Sequence, residues 1–360
     1  MSFRPLFGSL LVGFVLAFCG SAEALGQSAG LDRSIISASG ALNDGQKTSV
    51  SSFVARHAEA IRTGGDARSV EEARAALATP ARDPSATPSF RKAYGQILVT
   101  ELATVAKGSD LHRALNAMQA LRFSRTPEAL DVIIERTAVA GESSSAKRIA
   151  AASLAADAFE DLDASNAYFE TAARRLRDAA VSETDWLALQ QKLAAIGTAA
   201  RRKELPAENA RNVRKAQAEA LASIAKAMKA SSTAEPRMQA IQRTLVGLRN
   251  DLLVMQSADR SAVAKVLAPA LSDLIGCAGA QWDAAHADAT LSASYASVLN
   301  NCEVLLRLID RGERPQAYAG TKPEGDARVL GPSWDSKDKA KFEAEATRWA
   351  GIVSGAPYRN

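Results

Sequence analysis

The sequence predicts an all-α protein built as an array of antiparallel helical hairpins, and three observations predict it. Apolar residues recur every three or four positions in segment after segment, the spacing that places them on one face of a helix. Alanine, the strongest intrinsic helix former, dominates those segments, while aromatics make up only 5% of the chain and no run sustains the alternation of a strand. Connections between the periodic segments are mostly short, which forces consecutive helices to lie antiparallel as neighbours.

The first 24 residues have the layout of a secretory signal peptide. Arg4 is a minimal positive region, Leu6 to Phe18 is a thirteen-residue, predominantly apolar run, and Ala22-Glu23-Ala24 is a small-x-small site, so cleavage is expected after Ala24. The apolar run is shorter than the roughly 20 residues a membrane span needs, and no later stretch reads as a span. An uncleaved anchor is the main rival; a lipoprotein reading through Cys19 is disfavoured by bulky Phe18. The mature chain is thus expected to be soluble and exported, periplasmic or extracellular.

Residues 25–44 carry Gly, Ser, Asn and Asp without periodicity and read as a flexible lead-in to a helical-repeat array over 45–230. Val50, Phe53, Val54 and Ile61 mark a helix from about Gln46 to Arg62, stopped by Gly64-Gly65. Ser69-Val70-Glu71-Glu72 has the capping-box spacing and opens a short helix to Ala78. Pro80, Pro84 and Pro88 punctuate a loop, after which Phe90, Tyr94, Leu98, Leu102 and Val105 line a long helix ended by Gly108.

From Asp110 to Leu162 the pattern is at its clearest. Leu111, Leu115, Met118 and Leu121 share a face. Thr126-Pro127-Glu128 then restarts the pattern with an N-cap oxygen, a proline where its missing N–H costs nothing, and an acid at the positive helix end. Leu130, Ile133 and Ile134 follow as the buried face until Gly141, and Ser144 or Ser145 opens a helix carrying Ile149, Ala152, Ala156 and Phe159. Helices with Phe169, Ala172 and Leu176, then Trp186, Leu189, Leu193 and Ile196, then Val213, Leu221, Ile224 and Met228 complete this array.

Residues 235–311 are expected to hold further hairpins with a cysteine pair, 312–334 a Pro/Gly-rich loop, and 335–353 a C-terminal helix with Phe342 and Trp349 on one face. A split into two domains near Ser231 to Glu235 fits the same pattern.

Leu130 to Leu154, with Ile133, Ile134, Arg148, Ala150, Ala151 and Leu154, resembles the second helix of one HEAT-type repeat running into the first of the next. The following helix, with Ser165, Phe169 and Ala172, is similar to the second helix of a tetratricopeptide unit, with serine in place of its usual alanine. The likeness covers about residues 109–180 and rests on apolar spacings, with no strict period along the whole chain. It implies an irregular, right-handed α-solenoid with a C-terminal helical cap, whose stacked hairpins leave a concave surface for partners.

A net charge of +4 is too small to argue for nucleic acid. Its distribution is uneven, with a net +8 between Arg174 and Arg249 and −4 elsewhere. A contact face around Arg174, Arg175, Arg201, Arg202, Arg211 and Arg214 could meet a protein or an anionic envelope polymer; the plainer reading is a solvated helical surface.

The two cysteines after Ala24 lie in line with apolar residues: Cys277 with Val263, Leu267, Ala270 and Leu274, and Cys302 with Tyr295, Leu299 and Ile309. In an exported chain such a pair is most simply a disulfide. A helix that stopped at Gly279 would leave them roughly 20 Å apart at 1.5 Å per residue, far beyond the 4.4–6.8 Å of bridged Cα atoms. A helix continuing through Gly276 and Gly279 to about His286, with Asp288 capping the next, would bring them nearly level. The sequence therefore predicts that continuous helix and a Cys277–Cys302 bridge, with two free core thiols as the alternative.

Catalytic signals are few. Cys277 and His286 on one helix would be about 13.5 Å apart, beyond the reach of a nucleophile–base pair. The histidines, His57, His112 and His286, form no His-x-x-x-His pair, so no zinc site and no cofactor are expected, and His57 and His112 read as surface residues. Gly-x-Ser-x-Gly and the glycine-rich phosphate loops are missing. Carboxylate pairs such as Asp161 and Asp163, or Glu343 and Glu345, cannot be told from solvated ones by sequence. Tyr94, Tyr168, Trp186 and Trp349 have core spacing; Tyr318 and Trp334, in the Pro/Gly-rich segment, are candidate loop contacts, but packing of that loop against the array is the favoured reading.

The expectation is an exported, non-enzymatic helical-repeat scaffold or binding module of the cell envelope. The runner-up is an all-α enzyme acting on envelope polysaccharide or peptidoglycan, and a third reading is unspecific attachment to anionic lipid or wall polymer.

Overall fold

Sixteen α-helices and no strand occur among the described residues, 30–319 and 328–358, of a computed structural model. The expected signal peptide and its cleavage point at Ala24 lie outside those residues. The helices are α1 (Arg33–Ile36), α2 (Asp44–Thr63), α3 (Ala67–Arg82), α4 (Pro88–Lys107), α5 (Leu111–Arg122) and α6 (Pro127–Glu135). Next come α7 (Ser145–Asp161), α8 (Asn166–Val181), α9 (Trp186–Ala200), α10 (Ala207–Lys229) and α11 (Met238–Val254). The chain closes with α12 (Ser257–Ala280), α13 (Trp282–His286), α14 (Ala289–Glu313), α15 (Leu330–Asp335) and α16 (Lys339–Val353).

Local chemistry sets most starts. Asn43 and Gln46 form a complete capping box on α2, and Asp110, Ser144, Asp185 and Asp288 each accept from first-turn N–H groups. Two boundaries differ from the sequence reading. Asp66, not Ser69, caps α3, accepting from the Ser69 N–H, and α3 continues past Ala78 through Pro80 to Arg82. Pro80 sits in the last turn, where its ring is buried and only one backbone bond is forfeited. The stretch expected to be a flexible lead-in is structured from Gly30 onward. Ile35, Ile36 and Leu42 are buried, and Thr87 ties the segment down by donating its N–H to the Ile36 carbonyl (3.2 Å) and its hydroxyl to the Ala38 carbonyl (2.6 Å).

The even-numbered helices α2 to α12 each pack on the next of that series, and α3, α5, α7, α9 and α11 do likewise, while α2–α3, α4–α5, α6–α7 and α8–α9 pack as hairpins. Two layers result. The buried apolar residues form two clusters, one from α1 to α10 and one from the end of α8 to Tyr358, and α8, α9 and α10 contribute to both. Residues 31–358 are therefore one unit, with no break at 231–235: α10 lies along α12 across that linker, and the Gln281 amide donates to the Met228 and Ser231 carbonyls (2.9 and 3.0 Å).

The sequence reading found no later stretch apolar enough to span a bilayer; by length and composition α12, 24 residues with an 18-residue window of mean hydropathy 1.4, is long and apolar enough to do so. Its apolar residues are buried in the second cluster, where it packs against α10, α14 and α16. It passes Gly276 and Gly279, where a side chain would meet Lys229 and Phe342 of α16, but it ends at Ala280 rather than continuing to His286 as expected, and α13 starts anew after a turn at Gln281.

Several placements correct the sequence reading. Cys277 and Cys302 are free, buried thiols, and the expected bridge is not formed. The chain turns at Gln281, which sets Cys277 beside Tyr295, and Cys302 lies seven residues further along α14, about 10 Å at 1.5 Å per residue. Trp334 is not a loop contact but fully buried in α15, within the segment expected to be loop. Trp186 and Leu111 lie 36% and 41% exposed, each in the first turn of its helix, where neighbours cover only one side.

Candidate functional site

The six arginines of the predicted basic face do not form one patch. They occupy seams between neighbouring helices, where carboxylates meet them. Arg175 pairs with Asp131 of α6, and Arg211 reaches Asp259 of α12 (3.0 Å) and Glu208 (3.1 Å). Arg202 donates to the Phe159 carbonyl (3.1 Å) and lies over the Phe169 ring at 5.0 Å. Arg201 and Arg214 are the one pair brought together, both on Asp251 of α11 (3.4 and 3.5 Å). Arg174 has a side chain 53% exposed, 4.0 Å from Glu170. The charge surplus of this region thus serves mainly to hold helices together.

A second charged group is buried and was missed from sequence. Glu183, in the α8–α9 turn, is fully buried and accepts from Arg148 of α7 (2.7 and 2.9 Å), from Lys192 of α9 (2.6 Å), and from the N–H groups of Thr184 and Asp185 (3.0 Å each). Burial pushes its carboxyl up, but the hydrogen bonds from Arg148, Lys192 and the backbone together outweigh it and bring the pKa down to about 2. Arg148 also donates to the Glu142 and Ser143 carbonyls (3.0 Å each), so every strong donor and acceptor in the group is satisfied. This is a clamp between helices rather than a reactive site.

The loop candidates and histidines are likewise absorbed by packing. The Tyr318 hydroxyl donates to Asp310, which Arg314 and Tyr358 also approach. His286 lies between Trp282 and Trp334, its ring nitrogens 2.8 Å from the Trp282 carbonyl oxygen and 3.1 Å from that of Trp334. His57, expected at the surface, is half-buried against Phe53, and burial lowers its pKa. Burial pushes the Cys277 thiol up to about 12 and raises Cys302 as well, so neither is a nucleophile at neutral pH. Among the described residues no group of three or more His, Cys, Asp or Glu could hold a metal ion.

One cavity remains with uncommitted polar groups. It encloses about 440 Å³, within the roughly 300–1,000 Å³ range of ligand pockets. Its walls are the starts of α4, α6 and α8, three successive helices of one layer. The approach of α6 to α4 depends on Gly95, where a Cβ would come within 2.6 Å of the Thr126 hydroxyl oxygen. The α5–α6 turn is pinned by Arg125, whose backbone takes the left-handed region (φ 58°) and whose carbonyl accepts from the Asp163 N–H (3.1 Å).

Thr87 caps α4, but neither Thr126 on α6 nor Ser165 on α8 supplies a side-chain cap, so first-turn N–H groups lie without a side-chain acceptor at the cavity edge. Three cations line it. The Arg125 Nε lies 2.9 Å from Asp161. Lys92 is exposed. Arg91 makes no hydrogen bond or ion pair among the described residues, and its Nε is shielded from solvent. Burial, and then the Arg125 charge beside it, hold its pKa below the usual arginine value against the opposing pull of Asp163 and Asp161. Glu128 and Asp163 complete the charged lining.

The sequence offered half of this signal. Thr87-Pro88 and Thr126-Pro127 recur 39 residues apart as helix starts, and Ser165-Asn166 follows at the same spacing. What it did not offer is that Arg91 and Arg125, 34 positions apart, face one cavity. Compared with known protein families and with curated proteins, the chain matches none.

Proposed function

We propose that the chain is an exported helical-repeat binding module of the cell envelope, an irregular α-solenoid with a C-terminal helical cap, whose partner is a protein or an anionic envelope polymer. The supporting observation is the repetition in the packing. Even-numbered helices begin at Asp44, Pro88, Pro127, Asn166 and Ala207, 39 to 44 residues apart, and each packs on its counterpart in the next hairpin. Such stacking repeats the same loops along each edge and presents an extended surface to a partner. The cavity among α4, α6 and α8 lies on one such edge and is lined by Arg91 and Lys92, which make no hydrogen bond or ion pair among the described residues. Export is supported by the Arg4, Leu6–Phe18 and Ala22-Glu23-Ala24 layout.

The test is a pull-down of the chain from Leu25 onward, keeping α1 in place, against its own cell-envelope extract at low and high salt. A component recovered at both salts that rebinds saturably once purified supports the module. Recovery only at low salt reduces the function to charge attraction, and recovery of nothing at either salt refutes the reading. N-terminal sequencing of the exported protein should begin at Leu25.

A further inference from the structure

We propose that the cavity lined by Arg91, Lys92 and Arg125 is a carboxylate-binding site that takes the acidic side chains or C-terminus of a polypeptide segment. This names the ligand chemistry of the module proposed above and rests on that reading only for the ligand's source.

Three observations carry it. The first is the guanidinium pair. Arg91 and Arg125 stand near enough to disfavour each other's charge, and among the described residues Arg91 makes no hydrogen bond or ion pair: its Nε is shielded from solvent and lacks an acceptor, although Asp163 and Asp161 lie near enough to favour its charge. Elsewhere in this chain arginines between helices find carboxylates, as Arg148, Arg211 and Arg175 do. Native structures rarely leave a shielded donor unpaired without a reason, and an anion in the cavity supplies the acceptor.

The second is the charge balance. Three cations against Glu128 and Asp163 leave the lining side chains at +1. A carboxylate carries one charge and a plane that matches the guanidinium fork. A phosphate carries about −1.5 to −2 at neutral pH and would be crowded by Glu128 and Asp163.

The third is shape. At about 440 Å³ the cavity has room for an acidic side chain and part of its backbone. The uncapped starts of α6 and α8 add N–H groups and positive dipole ends that favour a carboxylate in the same place. They strengthen a site that the arginines define.

Calorimetric titration of the chain from Leu25 onward, at constant ionic strength, compares acetyl-Ala-Glu-Ala-amide, which carries a single carboxylate, with inorganic phosphate. The peptide should bind more tightly than phosphate. The double variant Arg91→Gln, Lys92→Gln should weaken the peptide by about tenfold or more, as expected when charge-assisted bonds are lost, and Arg174→Gln should leave it unchanged. Neither Arg91 nor Lys92 makes a hydrogen bond or ion pair among the described residues, so the double variant should melt at or above the temperature of the parent. Ser165→Asp provides the second variant: it supplies α8 with a cap, so it folds, and it places a carboxylate at the cavity edge that should abolish peptide binding.

No peptide binding, equal binding by the double variant, or tighter binding of phosphate would each overturn the proposal. Running the double variant in the envelope pull-down separates the two readings. A partner captured equally by parent and variant retains the module and removes this site; peptide binding with no captured partner retains the site and removes the module.

Discussion

Glu183 shows how single residues hold this chain together. Its carboxylate neutralises two cations from different helices with no solvent contact. Glu183→Ala would leave Arg148 and Lys192 as uncompensated buried charges, a change that costs about 3–5 kcal/mol, and urea unfolding at pH 7 should read that loss. Its folded pKa of about 2 lies below the ordinary 4.5, so its contribution is present above about pH 4.5 and is lost as pH falls toward 2. In Glu183→Gln the pH dependence of the urea midpoint should accordingly flatten across that window. Arg91 is the opposite case, a cation that the fold accommodates without a partner. Arg91→Met keeps the packing of the side-chain stem and removes the repulsion from Arg125. It should raise stability by about 0.5 kcal/mol, the scale of partly exposed charge interactions, measured by urea denaturation. A gain in stability at a position whose loss weakens ligand binding is the expected signature of a binding residue.

At the scale of elements, close approach matters more than propensity. Gly95 is a poor helix former in the middle of α4, yet it lets the start of α6 settle on the helix, with Thr126 where a methyl group would otherwise be. Gly95→Ala would improve propensity in isolation. In the protein its Cβ overlaps the Thr126 hydroxyl and methyl (2.6 and 2.7 Å), so a loss of about 1–3 kcal/mol is expected from overpacking. Thermal melts of Gly95→Ala alone and with Thr126→Ser, which removes the methyl, should show partial recovery in the double variant. The same logic explains α12, where Gly276 and Gly279 leave room for Lys229 and Phe342. Helix starts were legible because start signals are local: Ser144 and Asp288 cap where their spacing placed them, and Pro127 opens α6 although the Thr126 side chain does not supply the expected cap bond. The Trp334 placement was not, because a short helix between prolines has no periodicity to reveal. Its burial depends on Trp282, His286 and Tyr295, all from distant sequence.

For the whole molecule, the two apolar clusters share α8, α9 and α10, so the array and the C-terminal helices stabilise one another. A fragment ending at Ser231 would expose the α10 face carrying Leu221, Ile224, Ala225 and Met228, which the rest of the chain covers. Residues 25–231 alone should bind a hydrophobic dye and lack the sharp thermal transition of the longer chain. An independent, sharp transition in that fragment would restore a two-domain chain with its boundary at 231–235.

Approximate limits and the inward face of most helices followed from the sequence alone, because caps, proline positions and a 3.6-residue period act over a few neighbouring residues; the short helices α1 and α15 did not, having too few residues to show a period. α12 passes both glycines as expected but ends at Ala280 rather than His286, and the Cys277–Cys302 bridge from which its continuity was argued is not formed. Tertiary structure alone decided which helices lie side by side, and with that everything that depends on pairs distant in sequence. It set Cys277 and Cys302 out of register, distributed the basic surplus into seams, buried Trp334, and joined Arg91 to Arg125 at one cavity. Each of these depends on how far one helix slides and rotates against another, a choice made by packing across layers and recorded in no single stretch of the chain.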